Sequence, residues 1–403
     1  MKSTVKLQLS VLFFLEFFIW GGWFVTMGTF LSQNFNASGS DLALAYETQS
    51  IGAVIAPFII GLIADRYFAA QKILGVLHLL GAGLLFLAGS SESFSLFYPF
   101  ILLYMLLYMP TLALVNSIAF YQMEAPSKEF GPIRVLGSMG WIIAGFLIGY
   151  LGWESSQLLQ NTFFMTATAS LFLGIYSFFL PHTPPKVKAG EKVSLKSILG
   201  LDALALLKDK RYLIFFIASV LVCIPLAFYY QHANQFLNEI GMQATASKMG
   251  MGQLSEVFFL LLLPLFLTRF GLKKVLVFGV LAWGVRYLLF AYGDAGENTW
   301  MLLFGIILHG ICYDFFFVSG QIYTDFKAGE KYKSAAQGLI TLATYGVGML
   351  IGFRFAGWLT DQYISETGHF WKAIWVQPAI FSFIILILFL VSFKNETIKI
   401  KSA

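Results

Sequence analysis

Three carboxylic acids, Glu16, Glu256 and Asp314, sit deep inside long apolar runs of the chain. A carboxylate at the centre of a bilayer costs about 2.5–3.5 kcal/mol on insertion scales, so such residues persist where they face a protein-lined cavity. There they mark routes for substrates or protons. Gln253 precedes Glu256 by one helical turn, so an amide and a carboxyl share one face. The pair offers donors and acceptors to a polyhydroxylated solute, and desolvation favours the protonated acid, which suits proton loading. His309, Tyr313 and Phe317 form a stripe at i, i+4 spacing, with Asp314 about 100° around the helix from Tyr313. Asp314 reads as a second proton site or as the partner of an arginine. His309 reads either as a ligand or as a satisfied core histidine. The three carboxyls are the candidate proton-coupling groups of a multi-span transporter.

Other polar residues join them at helical spacing. Arg134, Ser138 and Trp141 lie on one face of a run that opens Gly131-Pro132. Hydropathy puts Arg134 near the end of its span, where it either snorkels or reaches a cavity. Arg286 and Arg354 lie toward the outer ends of their spans and are expected to snorkel. Tyr230 and Asn234 share a face beyond Pro225, which can bend its helix. They form either a cavity wall or part of the interfacial aromatic belt. Glu16, Trp20 and Trp23 make a stripe suited to stacking a flat solute or to plain helix packing. Tyr104, Tyr108 and Asn116 are weaker candidates of the same kind.

The elements that position these side chains are membrane-spanning helices. Of 403 residues, 58% are hydrophobic and 12% charged, against about 25% charged in soluble domains. Apolar runs of spanning length recur from end to end, which excludes a β-barrel with its short alternating strands. Twelve spans are expected, over 8–31, 43–64, 72–90, 95–121, 132–152, 158–181, 212–237, 250–268, 274–292, 299–323, 335–358 and 371–393. Of the 26 Lys and Arg residues, all but Lys248, Lys372, Arg134, Arg286 and Arg354 fall in the termini and in alternate loops that share one side. By the positive-inside rule both termini are cytoplasmic. Dispersed loop cations argue against nucleic-acid binding, despite the net charge of +5. Cys223 and Cys312 both lie in apolar spans and read as small buried hydrophobes. No nucleotide-binding glycine loop, metal-ligand spacing or nucleophile motif is visible, so neither an enzyme nor a metal or cofactor site is expected.

The Pro-marked, Lys-rich segment 182–211 divides the chain into six spans plus six, giving bundles over 1–181 and 212–403 joined by a cytoplasmic linker. That layout, with Gly61-Leu-Ile-Ala-Asp65-Arg66, resembles the major facilitator superfamily and its G-x-x-x-D-R loop. Asp65 and Arg66 are the candidate gating pair; a plain topogenic turn is the alternative. Longer stretches resemble the nucleoside:proton symporter family of that superfamily. They include Phe18-Ile-Trp20-Gly-Gly-Trp23, Pro132-Ile-Arg134, Gln253-Leu-Ser255-Glu256, Arg286-Tyr-Leu-Leu-Phe-Ala-Tyr292, Tyr313-Asp314-Phe315 and Ala335-Ala336-Gln337-Gly338. The resemblance implies an all-α fold of two six-helix bundles in a bacterial inner membrane, and nucleosides and protons as the transported partners. It implies a monomer in the lipid bilayer, and binding roles for Arg134, Gln253, Glu256 and Asp314. Where the family's nucleoside permeases carry Gln and Asn in span 7, this chain has Ala227 and Tyr230. A family Tyr becomes His309, a Thr becomes Ser138 and a Phe becomes Trp141. The proton machinery is thus retained while the substrate-facing wall is altered. A sugar, oligosaccharide or muropeptide carrier of the same superfamily is the alternative, and a non-transporting membrane receptor a more distant one.

Overall fold

A backbone in hydrocarbon has no water to bond, so each spanning segment satisfies its own amides as a helix. The computed structural model describes residues 2–59, 67–185, 201–366 and 368–396. The helices are α1 (Ser3–Gly21), α2 (Met27–Phe35), α3 (Gly39–Ile59), α4 (Ala70–Gly89), α5 (Phe94–Gln122), α6 (Pro126–Tyr150) and α7 (Gln160–Ser177). After a short 3₁₀ segment, Leu201–Lys208, come α8 (Lys210–Glu239), α9 (Thr245–Tyr292), α10 (Thr299–Ile307) and α11 (His309–Tyr313). Next come α12 (Ser319–Thr341), itself two helices that abut at Gly329, where φ is +57°, then α13 (Met349–Gln362) and α14 (Trp371–Ser392). A two-residue hairpin, Ile364–Ser365 against Gly368–His369, precedes α14. Asp314–Val318 and Leu342–Gly348 are π-helical turns, which bond residue i to i+5.

Among the described residues, ten helical segments are long and apolar enough to cross a membrane. The spans expected over 250–268 and 274–292 are two helices, labelled together as α9, that abut at Gly271, whose φ of +76° is not helical. One expected boundary does change. The first span, 8–31, breaks after Gly21 into α1 and α2. Tyr46 of α3 repairs the break: its hydroxyl accepts from the Gly28 amide and donates to the Phe24 carbonyl, both at 3.0 Å. A buried break is tolerated because its orphaned groups find that hydroxyl.

By contact the chain forms two compact units, Met1–Ser194 with Gln243–Gly250, and Leu195–Met242 with Met251–Ala403. In the first, α1 packs on α6, α4 on α5 and α7, and α3 on α5. A Cβ added at Gly140 of α6 would lie 2.1 Å from the Phe14 carbonyl oxygen of α1, so this crossing requires glycine. Glu154 accepts the Ala246 amide through both carboxyl oxygens, at 3.1 and 2.9 Å, and caps the start of α9. In the second unit α8 packs against α13 and α14. Asp209 caps α8 through the Arg211 and Tyr212 amides. The Lys327 ammonium, 2.7 Å away, holds the Asp209 carboxyl below the usual carboxylate range. Polarity runs inward: Leu261 and Val391 are 73% and 82% exposed, whereas Glu16 and Arg286 are at 0%. That arrangement suits apolar surroundings.

Gly140→Ala should lower the thermal midpoint of the protein in detergent, by the equivalent of about 1–3 kcal/mol for forced overpacking. Gly83→Ala is the control, since no atom lies within 4 Å of its added Cβ. It should be neutral or slightly stabilising. Equal midpoints for the two variants would contradict the close α1–α6 crossing.

Candidate functional site: two buried polar clusters

The second unit assembles its cluster where α9 meets α11. A Cβ on Gly310 would lie 2.5 Å from the Ser255 backbone, so glycine lets the two helices touch. The Gly310 amide donates to the Ser255 hydroxyl at 3.0 Å and pins the contact. Gln253 and Glu256, on either side of Ser255, are thereby brought to His309. The Gln253 amide lies 3.2 Å from His309 Nε2, and Glu256 Oε2 lies 3.7 Å from the same nitrogen. On the other edge of the imidazole, Arg286 Nη1 approaches Nδ1 at 3.1 Å. The guanidinium lies 3.5 Å over the Tyr229 ring, and His309 stacks on that ring at 5.2 Å. A desolvated cation–π contact of this kind contributes about 2 kcal/mol. Nearby, the Tyr313 and Tyr345 hydroxyls meet at 2.6 Å. Tyr287 donates to the Pro225 carbonyl inside α8.

In the first unit Glu16 is wholly buried among partners from two other helices, α4 and α5. Thr111 of α5 donates to Oε1 at 2.6 Å. His78 Nε2 of α4 lies 2.9 Å from Oε2, and His78 Nδ1 lies 3.1 Å from the Ser170 hydroxyl of α7. The Ser170 hydroxyl also donates to the His78 carbonyl at 2.9 Å. Tyr108 donates to the Glu16 carbonyl at 2.7 Å. Its ring lies beside Trp20, which in turn meets Trp141 edge-on at 5.6 Å.

The expected site residues fall into these surroundings unevenly. Gln253, Glu256 and His309 are together. Tyr313 stacks one turn from His309, at 6.0 Å. Tyr230 is half-buried beside Tyr229, and Asn234 is buried and accepts from Asn238 at 3.2 Å. Asp314 is buried at the first position of a π-helical turn, and neither carboxyl oxygen has a hydrogen-bond partner among the described residues. Arg134 stacks on Phe17 of α1 at 4.3 Å, with Ser138 half-buried and Trp141 on the Trp20 ring. Asp65 and Arg66 lie outside the described residues. Arg286 requires a correction: it does not snorkel but is fully buried between Tyr229 and His309. Depth along a span says nothing about which way a side chain turns. Arg354 is exposed. His78, Thr111 and Ser170 escaped sequence reasoning; a lone histidine inside the apolar α4 was the available signal. Among the described residues no three His, Cys, Asp or Glu side chains converge as metal ligands.

Helices of spanning length, built into two units with ionisable residues turned inward, define a polytopic membrane transporter of the major facilitator type. Known structures agree: the crystal structure of the nucleoside transporter NupG superposes with a TM-score of 0.88 at 31% identity, covering 97% of this chain and 100% of that one. The chain belongs to the Nucleoside H+ symporter family, whose sequence model matches residues 1–398. It is 43% identical to the YegT protein of Escherichia coli (strain K12), over 100% of this chain and 97% of that one. The xanthosine permease of the same organism is 32% identical, over 97% and 96% of the two chains.

Removing one partner of the Glu16–His78 pair strands the other. Glu16→Leu or His78→Leu alone should each cost about 3–5 kcal/mol. The double variant should cost clearly less than their sum. Thermal unfolding of the three purified variants checks this, and additive losses would show that the two side chains do not act as a pair.

Proposed function

We propose that this protein carries nucleosides with protons into the cell across a bacterial inner membrane, with both termini cytoplasmic. Membership of the symporter family supports the reaction class, and the Escherichia coli relatives and the placement of basic loops support the location. The observation that carries the assignment of residues is the convergence of Gln253, Glu256 and His309. We read 1–181 and 212–403 as two six-helix bundles, twelve crossings in all, that work as a monomer. Arg134, Ser138, Trp141, Tyr230, Asn234, Gln253, Glu256, His309 and Tyr313 are assigned to the substrate, and Glu256, Asp314 and Glu16 to the proton.

The three carboxyls suit different duties. Glu256 is half-buried and adjoins the polar cluster, so its protonation and substrate binding affect the same groups. Asp314 has no hydrogen-bonding partner among the described residues to stabilise an anion, and an unpaired charge there costs several kcal/mol. It therefore needs either a proton or a partner delivered by a conformational change. Glu16 is paired with His78, and exchanging a proton with substrate or solvent requires that pair to be remade. Arg134, always cationic, has a guanidinium face already on Phe17 and an edge suited to carbonyl or hydroxyl oxygens.

The deciding experiment is uptake of labelled uridine and adenosine into tight proteoliposomes, with and without an inward proton gradient. Gradient-driven accumulation is expected, abolished by an uncoupler and by Glu256→Gln. Normal accumulation by Glu256→Gln would remove Glu256 as the coupling group. No uptake of either nucleoside, with competition by a sugar or muropeptide for binding, would move the substrate to that class.

A further inference from the structure

We infer that Arg286 is a positioning residue that fixes His309 as the Nε2–H tautomer, and through it sets which way the Gln253 amide faces the substrate. The inference deepens the proposed function and rests on it for the identity of the ligand, but not for the tautomer. Arg286 Nη1 lies 3.1 Å from His309 Nδ1. A guanidinium offers only N–H groups and does not deprotonate, so Nδ1 must present its lone pair. In the neutral ring the one hydrogen then sits on Nε2. A second proton, on Nδ1, would confront the guanidinium with another donor and another positive charge. Both planar groups are held in this relation by one ring, since Arg286 and His309 each stack on Tyr229. The ionisable groups around His309 are Glu256 and Arg286 of α9, Tyr229 of α8, and Cys312 and Tyr313 of its own helix.

The consequence passes to Gln253. Its amide meets His309 Nε2 at 3.2 Å through the atom placed as nitrogen. Amide nitrogen and oxygen are assigned from their partners, and an Nε2–H requires an oxygen there. Gln253 Oε1 therefore accepts from His309, and the Gln253 amino group faces away from it. Along the half-buried face of α9 the protein then displays an amino donor followed one turn later by the Glu256 carboxyl. The complementary ligand carries an acceptor beside a donor: the vicinal hydroxyls of a ribose, or the carbonyl and N–H edge of a base. His309 is thereby a donor in one direction only and takes no part in carrying the coupled proton, which stays with the carboxyls.

The test is nitrogen NMR on the full-length protein, labelled with 15N-histidine in detergent, with His309→Gln identifying the His309 signals. Expected are an unprotonated Nδ1 and a protonated Nε2, unchanged from mildly basic to mildly acidic pH. Arg286→Lys, which still donates, should keep that pattern, and Arg286→Met should lose it, with both nitrogens averaging and titrating. A protonated Nδ1 in the native chain overturns the inference, as does the native pattern persisting in Arg286→Met. Should Arg286→Met fail to fold, the native spectrum decides alone. In uptake assays Arg286→Met should raise KM for labelled uridine about tenfold, the scale of one misdirected hydrogen bond, with Arg286→Lys restoring most of it. Absence of nucleoside uptake in the native chain would sink the proposed substrate and leave the tautomer result intact.

Discussion

Hydrocarbon supplies no hydrogen bonds, so every polar group taken into it has to bring its own partner. The break between α1 and α2 exists because Tyr46 closes it from α3. Glu16 is buried because Thr111 and His78 occupy its two oxygens, and His78 is in turn held by Ser170. Three helices of the first unit, α1, α4 and α5, meet at that one carboxyl, and α7 joins them through His78. In the second unit the same requirement is met differently, by laying the Arg286 guanidinium on an aromatic face and giving one of its nitrogens to His309. These polar contacts contribute less to stability than to uniqueness, because few alternative packings satisfy them all.

The contrast between the three carboxyls follows from how far each obeys that rule. Glu16 obeys it fully, Glu256 partly, and Asp314 not by any hydrogen bond among the described residues. The Glu16–His78 pair fixes the packing around it, whereas no hydrogen bond among the described residues fixes the buried Asp314 carboxyl.

Much of this was legible in the sequence, and the exceptions have physical causes. Long apolar runs reveal helices, so α3 to α8 and α14 fall close to their expected ranges. Gln253 and Glu256 were recognised as neighbours because one helix fixes their spacing. Glu16 stood out by its apolar context, but His78 did not appear as its partner: 62 residues separate them, and only the packing of α4 on the bundle brings them together. Arg286 was misread because hydropathy gives depth and not facing. The first span looked continuous because Gly21-Gly22 hides a break whose repair comes from another helix. The wide turns at 314 and 342 carry no compositional signal at all.

Those wide turns bear on how the chain should be aligned. A helix containing one holds a residue more than a plain α-helix along the same path, and everything after it is rotated by about 100°. The turn Asp314–Val318 thus acts as a single-residue insertion absorbed without a loop. The turn Leu342–Gly348 does the same in the following helix. An ungapped comparison of this stretch with a relative whose helix lacks the extra residue would pair Asp314 with the wrong position, although the two backbones coincide on both sides of it. Descent of the site is then traced more faithfully through space than through residue number.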